Sequence, residues 1–279
     1  MTIPRALIVC ADDFALHAEV SRAVLALAKQ GRITATSAMV LSPRWPEDAQ
    51  TLESVREHID VGLHLDWTSA FARHAGHGTN LPAAMLTALA GGFNRVRAEA
   101  VIERQLDVFE THWGAPPNFI DGHQHVQQFA GIREALITQL QRRYQANDLP
   151  LPYLRVSRPP PETADLKARI IAALGADAMQ SIAAHAGCTC ANALLGTYGL
   201  HGDEATYRRR MQGWLQALPH RAILMCHPAL GTWHGDTHGN SRLAEFRYLH
   251  GPEFAQDLQQ TGVVLARGAV ALAQAGSAS

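Results

Sequence analysis

Short apolar runs alternate with longer amphipathic segments along the chain. Residues 6–11 and 222–226 are continuously apolar, which is typical of strands buried on both faces of a sheet. Residues 19–30 and 94–113 instead repeat apolar side chains every three or four positions, which predicts helices with one buried face. Strands that alternate with helices indicate β-α-β units and therefore a parallel sheet.

The same pattern predicts further elements along the chain. Strands are expected at residues 34–41, 61–67, 118–121, 153–156 and 263–266, and helices at 46–58, 132–144, 166–174, 204–218 and 243–260. Residues 68–80, rich in Gly and His, are expected to form a surface loop. About seven or eight such units predict an α/β fold that closes, or nearly closes, into a barrel, with an open doubly wound sheet as the alternative. No linker interrupts the pattern, so residues 1–279 are expected to form a single domain.

Composition narrows the possible functions. The 279 residues are 47% hydrophobic, and 24 basic residues against 25 acidic ones give a net charge of -1. The apolar content predicts a globular chain. The near-zero net charge argues against a nucleic-acid partner, which would favour a basic excess. No signal peptide is expected at the N-terminus, and no apolar run reaches the roughly 20 residues that span a membrane. Four cysteines are too few for a disulfide scaffold, so a cytoplasmic location is expected.

Carboxylates and imidazoles follow four of the predicted strands. They are Asp12 and Asp13 after the first strand, His64 within the third, Asp121, His123 and His125 around the end of the fourth, and His227 before Pro228 after a late strand. Because ligands bind at the carboxyl ends of parallel strands, we expect these side chains to share one face of the fold.

The alternation of side chains along a strand sharpens this expectation. Asp121, His123 and His125 should point the same way, whereas the adjacent Asp12 and Asp13 should diverge and could hold different roles. Taken singly, each residue has an ordinary explanation as a turn former or a packed core histidine. Together, a carboxylate and two imidazoles are typical of a divalent metal site with positions open for water and substrate.

Several stretches resemble the YdjC-like carbohydrate deacetylases, a family that includes chitooligosaccharide deacetylases. The matching stretches are residues 7–14 (LIVCADDF), 31–40 (GRITATSAMV), 61–65 (VGLHL), 120–126 (IDGHQHV) and 225–228 (MCHP). The resemblance reaches from the N-terminus to about residue 250, and the combination of motifs is more specific than any one of them.

This resemblance implies an irregular or incomplete (β/α) barrel and hydrolysis of the N-acetyl group of an acetylated amino sugar, either an oligosaccharide or a sugar conjugate. It implies one divalent metal ion, zinc or magnesium, held by Asp13, His64 and His123. Asp12 would be the general base and His227 the general acid. His125 and Asp121, the remaining members of the histidine motif, would lie beside the metal ligands or the substrate. The resemblance leaves a homodimer open.

Three positions depart from the family pattern. Ala15 replaces a usual Gly, Cys10 replaces a usual Asn, and Gln127 stands where a third His is common. These departures keep alternatives open: another single-metal amidohydrolase or phosphoesterase, or a metal- or sugar-binding protein without turnover. Asp12 beside Asp13 favours turnover, because a binding protein needs no base.

Overall fold

Eight parallel strands form one sheet in the computed structural model, which describes residues 5–273. They are β1 (Arg5–Phe14), β2 (Ala35–Ala38), β3 (Asp60–Leu65), β4 (Phe119–Gly122), β5 (Tyr153–Leu154), β6 (Ala193–Leu195), β7 (Ala222–Cys226) and β8 (Val263–Leu265). The strand order is β5-β4-β3-β2-β1-β7-β6, and β8 pairs with the first residues of β1. β1 therefore lies at the centre of the sheet.

Helices connect these strands. They are α1 (Ala18–Lys29), α2 (Trp45–Leu52), α3 (Ala70–His74), α4 (Leu81–Leu89), α5 (Arg95–Trp113), α6 (Ile132–Arg143), α7 (Leu166–Ala173), α8 (Ala176–His185), α9 (Glu204–Gln216), α10 (Gly239–His250), α11 (Pro252–Thr261) and α12 (Gly268–Ala271). Within residues 5–273, no helix combines the length and the apolar character needed to cross a membrane.

The sheet curls into an incomplete barrel. Its outermost strand β5 approaches the segment before β6, where Leu154 and Cys190 form a single parallel bridge. One pair is too little to close the ladder, so the barrel remains irregular on this side. The predicted incomplete (β/α) barrel is confirmed, and the open doubly wound sheet is not formed.

Alternating residues of β1 separate the two faces of the sheet. Leu7 and Val9 pack outward in the large hydrophobic core that includes helix residues. Ile8 and Cys10 point inward and join a smaller cluster with Phe119. This inner cluster fills the lower part of the barrel, so the polar residues at the carboxyl ends of the strands sit above an apolar floor.

Most predicted elements are present, but some predictions were wrong. The single helix expected at 243–260 is two helices, because Pro252 lacks an amide hydrogen and holds Gly251 in an extended conformation. The loop expected at 68–80 contains the short helix α3. Sequence reasoning also missed α4, α8 and the three-residue strand β6.

Candidate metal centre and active site

An extra residue in β1 brings both adjacent aspartates into one cavity. Ala11 pairs with Thr36 and Phe14 with Ala38, so three steps along β1 oppose two along β2. This β-bulge is accompanied by a positive φ of 66° at Asp13. The side chain of Asp13, which regular alternation would turn toward the helices, instead lines the same cavity as Asp12. The predicted divergence of the two side chains was therefore wrong.

The three residues expected to hold a metal lie together. Asp13 Oδ1 is 3.1 Å from His123 Nδ1 and 3.6 Å from His64 Nε2. One ligand atom of each residue lies within 4.8 Å of those of the other two. Asp13 and His64 are each 2% exposed, whereas His123 is partly open to the cavity. The arrangement is compact enough for one ion.

Asp121 fixes the orientation of His64. Its Oδ1 lies 2.6 Å from His64 Nδ1, and Ser37 Oγ lies 3.0 Å from the same nitrogen. In the neutral ring, a hydrogen held at Nδ1 leaves Nε2, which faces Asp13, as the nitrogen with the free lone pair. Burial disfavours the imidazolium form, but without a metal ion the charge and hydrogen bond of Asp121 outweigh burial and raise the pKa of His64 to about 9, so a metal ion would have to displace the proton at Nε2.

Arg242 of α10 holds the other oxygen of Asp13. Its Nη2 donates to Asp13 Oδ2 at 2.9 Å. Burial alone would raise the pKa of Asp13, but the hydrogen bond and charge of His123, together with the charge of Arg242, lower this pKa well below its usual range. Asp13 is therefore an ionised carboxylate with one oxygen directed at the two histidines.

Arg155 makes a similar contact with Asp12. Its two terminal nitrogens donate to the two oxygens of Asp12 at 2.6 and 2.7 Å, and Nη2 also lies 2.9 Å from Asp121 Oδ2. Cys10, Asp12 and Asp121 are close enough together to be a second candidate metal group. The guanidinium of Arg155 already neutralises these carboxylates, so an ion pair explains that group.

His227 lies beside Asp12, at the end of β7 as the sequence predicts. Its Nε2 is 3.8 Å from Asp12 Oδ2, and its Nδ1 has no hydrogen-bond partner among the described residues. Burial, which disfavours the charged imidazole, lowers the pKa of His227 to about 4. The imidazole is therefore neutral at pH 7.

His123 and His125 do not follow the alternation that the sequence predicts. β4 ends at Gly122, and residues His123–Gln128 form a 3-10 turn in which Gln124 and His125 have positive φ angles. His125 Nδ1 consequently lies 2.8 Å from Ser157 Oγ, and only His123 reaches Asp13. Burial lowers the pKa of His125 to about 3. The expectation that Asp121, His123 and His125 form one row was wrong.

The three departures from the family pattern lie around the candidate ligands without replacing them. Ala15 has a φ of 69°, a left-handed conformation that costs a residue with a Cβ roughly 1 kcal/mol and that a glycine adopts freely. Gln127 donates to the backbone oxygen of Arg155 and to Ser157. Cys10 Sγ lies 3.5 Å from Asp12 Oδ1.

A cavity of about 580 Å³ opens above these residues. Part of its lining is polar and includes His238. Another part of the lining is aliphatic. Its residues are Leu81, Met85, Leu166, Ile170, Ile171 and Leu174. The cavity gives a substrate direct access to Asp12, Asp13 and His227.

Sequence reasoning missed four polar residues of this site. They are Ser37, Arg155, Arg242 and Glu245, all buried. Arg155 could have been identified from the sequence, because an arginine inside a short predicted strand needs a buried anion as its partner. Arg242 and Glu245 could not have been identified in this way. Both lie on α10, where charged residues are common on a solvent-facing side, and they meet their partners only through tertiary contacts.

The donor set fits a divalent cation. It offers one ionised carboxylate oxygen and two imidazole nitrogens, all close together and largely buried. Asp121 contacts His64 and Arg242 contacts Asp13, each on the side away from the shared cluster of ligand atoms. Hydrogen-bond partners of this kind orient the ligands in metal sites. Three protein donors beside an open cavity leave room for water or substrate.

Comparisons with known proteins agree with this architecture. The family model described as "YdjC-like protein" matches residues 6–260. A search of curated proteins found no match. A candidate cellobiose-phosphate cleavage protein of Enterococcus faecalis V583 is similar in structure, with a TM-score of 0.73 and 18% identity over 96% of this chain and 98% of that one. The Bc1960 peptidoglycan N-acetylglucosamine deacetylase is similar at a TM-score of 0.50 and 11% identity, over 95% of this chain and 86% of that one.

Proposed function

The chain belongs to the YdjC-like family, and from this premise we propose that it is a metal-dependent hydrolase that removes the N-acetyl group of an acetylated amino sugar. The observation that carries the proposal is the meeting of Asp13, His64 and His123 beside Asp12 at the floor of an open cavity. The fold shared with a peptidoglycan N-acetylglucosamine deacetylase is compatible with an acetylated amino sugar as substrate.

Asp13, His64 and His123 would hold the metal ion. A divalent ion bound there supplies polarisation of the acetamide carbonyl and acidification of water. Two imidazoles and one carboxylate favour zinc, whereas magnesium prefers a larger share of oxygen ligands. Arg242 and Asp121 hold the carboxylate and one imidazole in place through these contacts.

Asp12 would act as the general base. Burial alone would raise the pKa of Asp12, but the charge and hydrogen bonds of Arg155 outweigh burial and hold it well below its usual range. The carboxylate is therefore ionised, as a general base must be before it takes a proton. Arg155 occupies one side of both oxygens, which leaves Oδ2 facing His227 and the cavity.

His227 would protonate the departing amine. Its imidazole is neutral at rest, because its pKa lies at about 4, so it must first receive a proton. Asp12 Oδ2, 3.8 Å from His227 Nε2, is the nearby carrier of the proton taken from water. The proton would pass from Asp12 to His227 and then to the amine nitrogen, whose bond to the acyl carbon breaks.

Acetate release from N-acetylglucosamine oligomers tests this function. We expect release by protein loaded with zinc or magnesium, loss of release after chelation, and recovery when the metal is restored. The Asp13→Ala protein serves as a negative control. Metal binding without acetate release from any acetylated amino sugar would instead support a binding protein, and release of phosphate from a phosphoester would support a phosphoesterase.

A cytoplasmic setting belongs to the same proposal. Cys10, Cys188, Cys190 and Cys226 are all free and buried, which supports a compartment in which thiols stay reduced. A chain that forms intramolecular disulfides when isolated from its native cells would contradict this location.

A further inference from the structure

His227 is held through its backbone. The last ladder pair of β7 on its β1 side is Ala11 with Cys226, so the amide of His227 lies just beyond the sheet. The imidazole makes no hydrogen bond of its own within residues 5–273, and its closest charged neighbour is the Asp12 oxygen at 3.8 Å. The position of the ring therefore depends on what fixes the main chain beneath it.

Helix α10 supplies that fixation. The carboxylate of Glu245 accepts a hydrogen bond from the His227 backbone amide, and Arg242 Nη1 donates to the His227 carbonyl at 3.4 Å. The amide of Ala229 donates to the Arg242 carbonyl at 3.2 Å. One helix thus holds the peptide groups on both sides of His227 while Arg242 also holds Asp13.

Glu245 is unusual among the residues of this helix. It is fully buried, and both of its hydrogen-bond donors, the His227 amide and the Tyr198 hydroxyl at 2.5 Å, are uncharged. Burying a carboxylate with only neutral donors is costly, so an apolar residue would pack more favourably here. Burial raises the pKa of Glu245 to about 7, which agrees with that cost. A role other than packing accounts for its presence.

We infer that Glu245, supported by Tyr198, is the positioning residue that sets the imidazole of His227 against Asp12 and the substrate amine. The kinetic effect of Glu245 rests on the proposed deacetylase function, whereas the placement of the His227 imidazole does not depend on it. Tyr198 lines the substrate cavity, so this contact also joins the cavity wall to the backbone of His227.

Two substitutions separate a positioning role from a packing role. Glu245→Leu removes the acceptor for the His227 amide and keeps the site filled. Glu245→Gln keeps an acceptor, because its amide oxygen can receive the His227 amide hydrogen while its NH2 group donates to the Tyr198 hydroxyl oxygen. Asp257→Asn is the control, since Asp257 is also a buried carboxylate that accepts from a tyrosine hydroxyl, that of Tyr248, outside the cavity, although Arg208 pairs with it as well.

The first measurement does not depend on activity. In proton–nitrogen spectra of the histidine rings, the His227 signal is identified by its loss in His227→Ala. We expect this signal to shift or broaden in Glu245→Leu and to stay in place in Glu245→Gln and Asp257→Asn. An unchanged His227 signal in Glu245→Leu would overturn the inference even if the protein proves to be no deacetylase.

The second measurement compares an N-acetylated sugar with an activated acetate ester. We expect Glu245→Leu to lower kcat on the amide by about 10- to 100-fold with little change in KM, to affect the ester far less, and to leave metal content unchanged. Glu245→Gln should restore most of the amide activity. Equal losses on both substrates would show that Glu245 only supports folding. If Glu245→Leu does not fold, Glu245→Ala, which admits water to the His227 amide, makes the same comparison.

Discussion

Arg155 donates hydrogen bonds to both carboxylate oxygens of Asp12, at 2.6 and 2.7 Å, although the two residues are 143 positions apart in the chain. The pair lies entirely inside the protein, with Arg155 fully buried and Asp12 only 2% exposed. This contact fixes the protonation state and the orientation of the candidate base.

Removing Arg155 should destabilise the protein in a pH-dependent way. In Arg155→Met, Asp12 and Asp121 lose their buried cation, so we expect the free energy of unfolding at pH 7 to fall by about 3–5 kcal/mol. Without Arg155, burial raises the folded-state pKa of Asp12 above its unfolded value of about 3.9. Folding then takes up a proton, and the deficit should shrink as the pH falls from 7 toward 5.

Urea unfolding at several pH values measures this deficit. Wild-type Asp12 has a depressed pKa, so its favourable contribution is present above about pH 3.9 and is lost only in stronger acid; it is constant over the range tested. A gap between variant and wild type that is the same at pH 7 and pH 5 would show that the carboxylates do not depend on Arg155.

Asp13→Ala, His64→Ala and His123→Ala should each lower divalent metal occupancy sharply. Each variant removes one of three protein donors from a site whose ligand atoms lie within 4.8 Å of one another. Elemental analysis of the purified proteins gives the occupancy. The exposed His185 and His220 provide controls, and their alanine variants should bind metal as the wild type does. Full occupancy in the His64→Ala protein would refute the assignment.

Asp12→Asn should retain the metal and lose turnover by about 100-fold or more, the usual scale for a positioned base. Arg155 keeps Asp121 as an anionic partner at 2.9 Å, so the variant should still fold. Metal content and acetate release are measured on the same sample. Loss of the metal together with activity would show that Asp12 is a metal ligand, and the assignment of separate roles to Asp12 and Asp13 would be wrong.

His227→Ala should slow hydrolysis of an amide far more than hydrolysis of an activated acetate ester. An alkyl amine needs a proton to leave, whereas an activated phenolate leaves without one. Metal content should not change, because His227 is not among the three clustered ligands. Rates on both substrates at equal metal loading check this, and the acid role is excluded if the two rates fall by the same factor.

The sequence by itself determined the alternating strands and helices, the incomplete barrel, and the edge of the sheet at which the candidate site residues lie. These features are local: apolar runs and helical periodicity are visible in any short window, and polar residues at strand ends stand out against them. For this reason the polar residues at the strand ends could be expected to share one face of the fold, whereas the choice of Asp13, His64 and His123 among them came from the family resemblance.

Only the tertiary structure decided where the side chains point and what holds them. The bulge in β1 turns Asp13 into the cavity beside Asp12, and the turn after Gly122 separates His125 from His123. Alternation applies only within a regular strand, so it fails where β1 bulges and where β4 ends. The partners Arg155, Arg242 and Glu245 come from distant segments, and no local pattern links them to the site, because their contacts exist only once the barrel has curled.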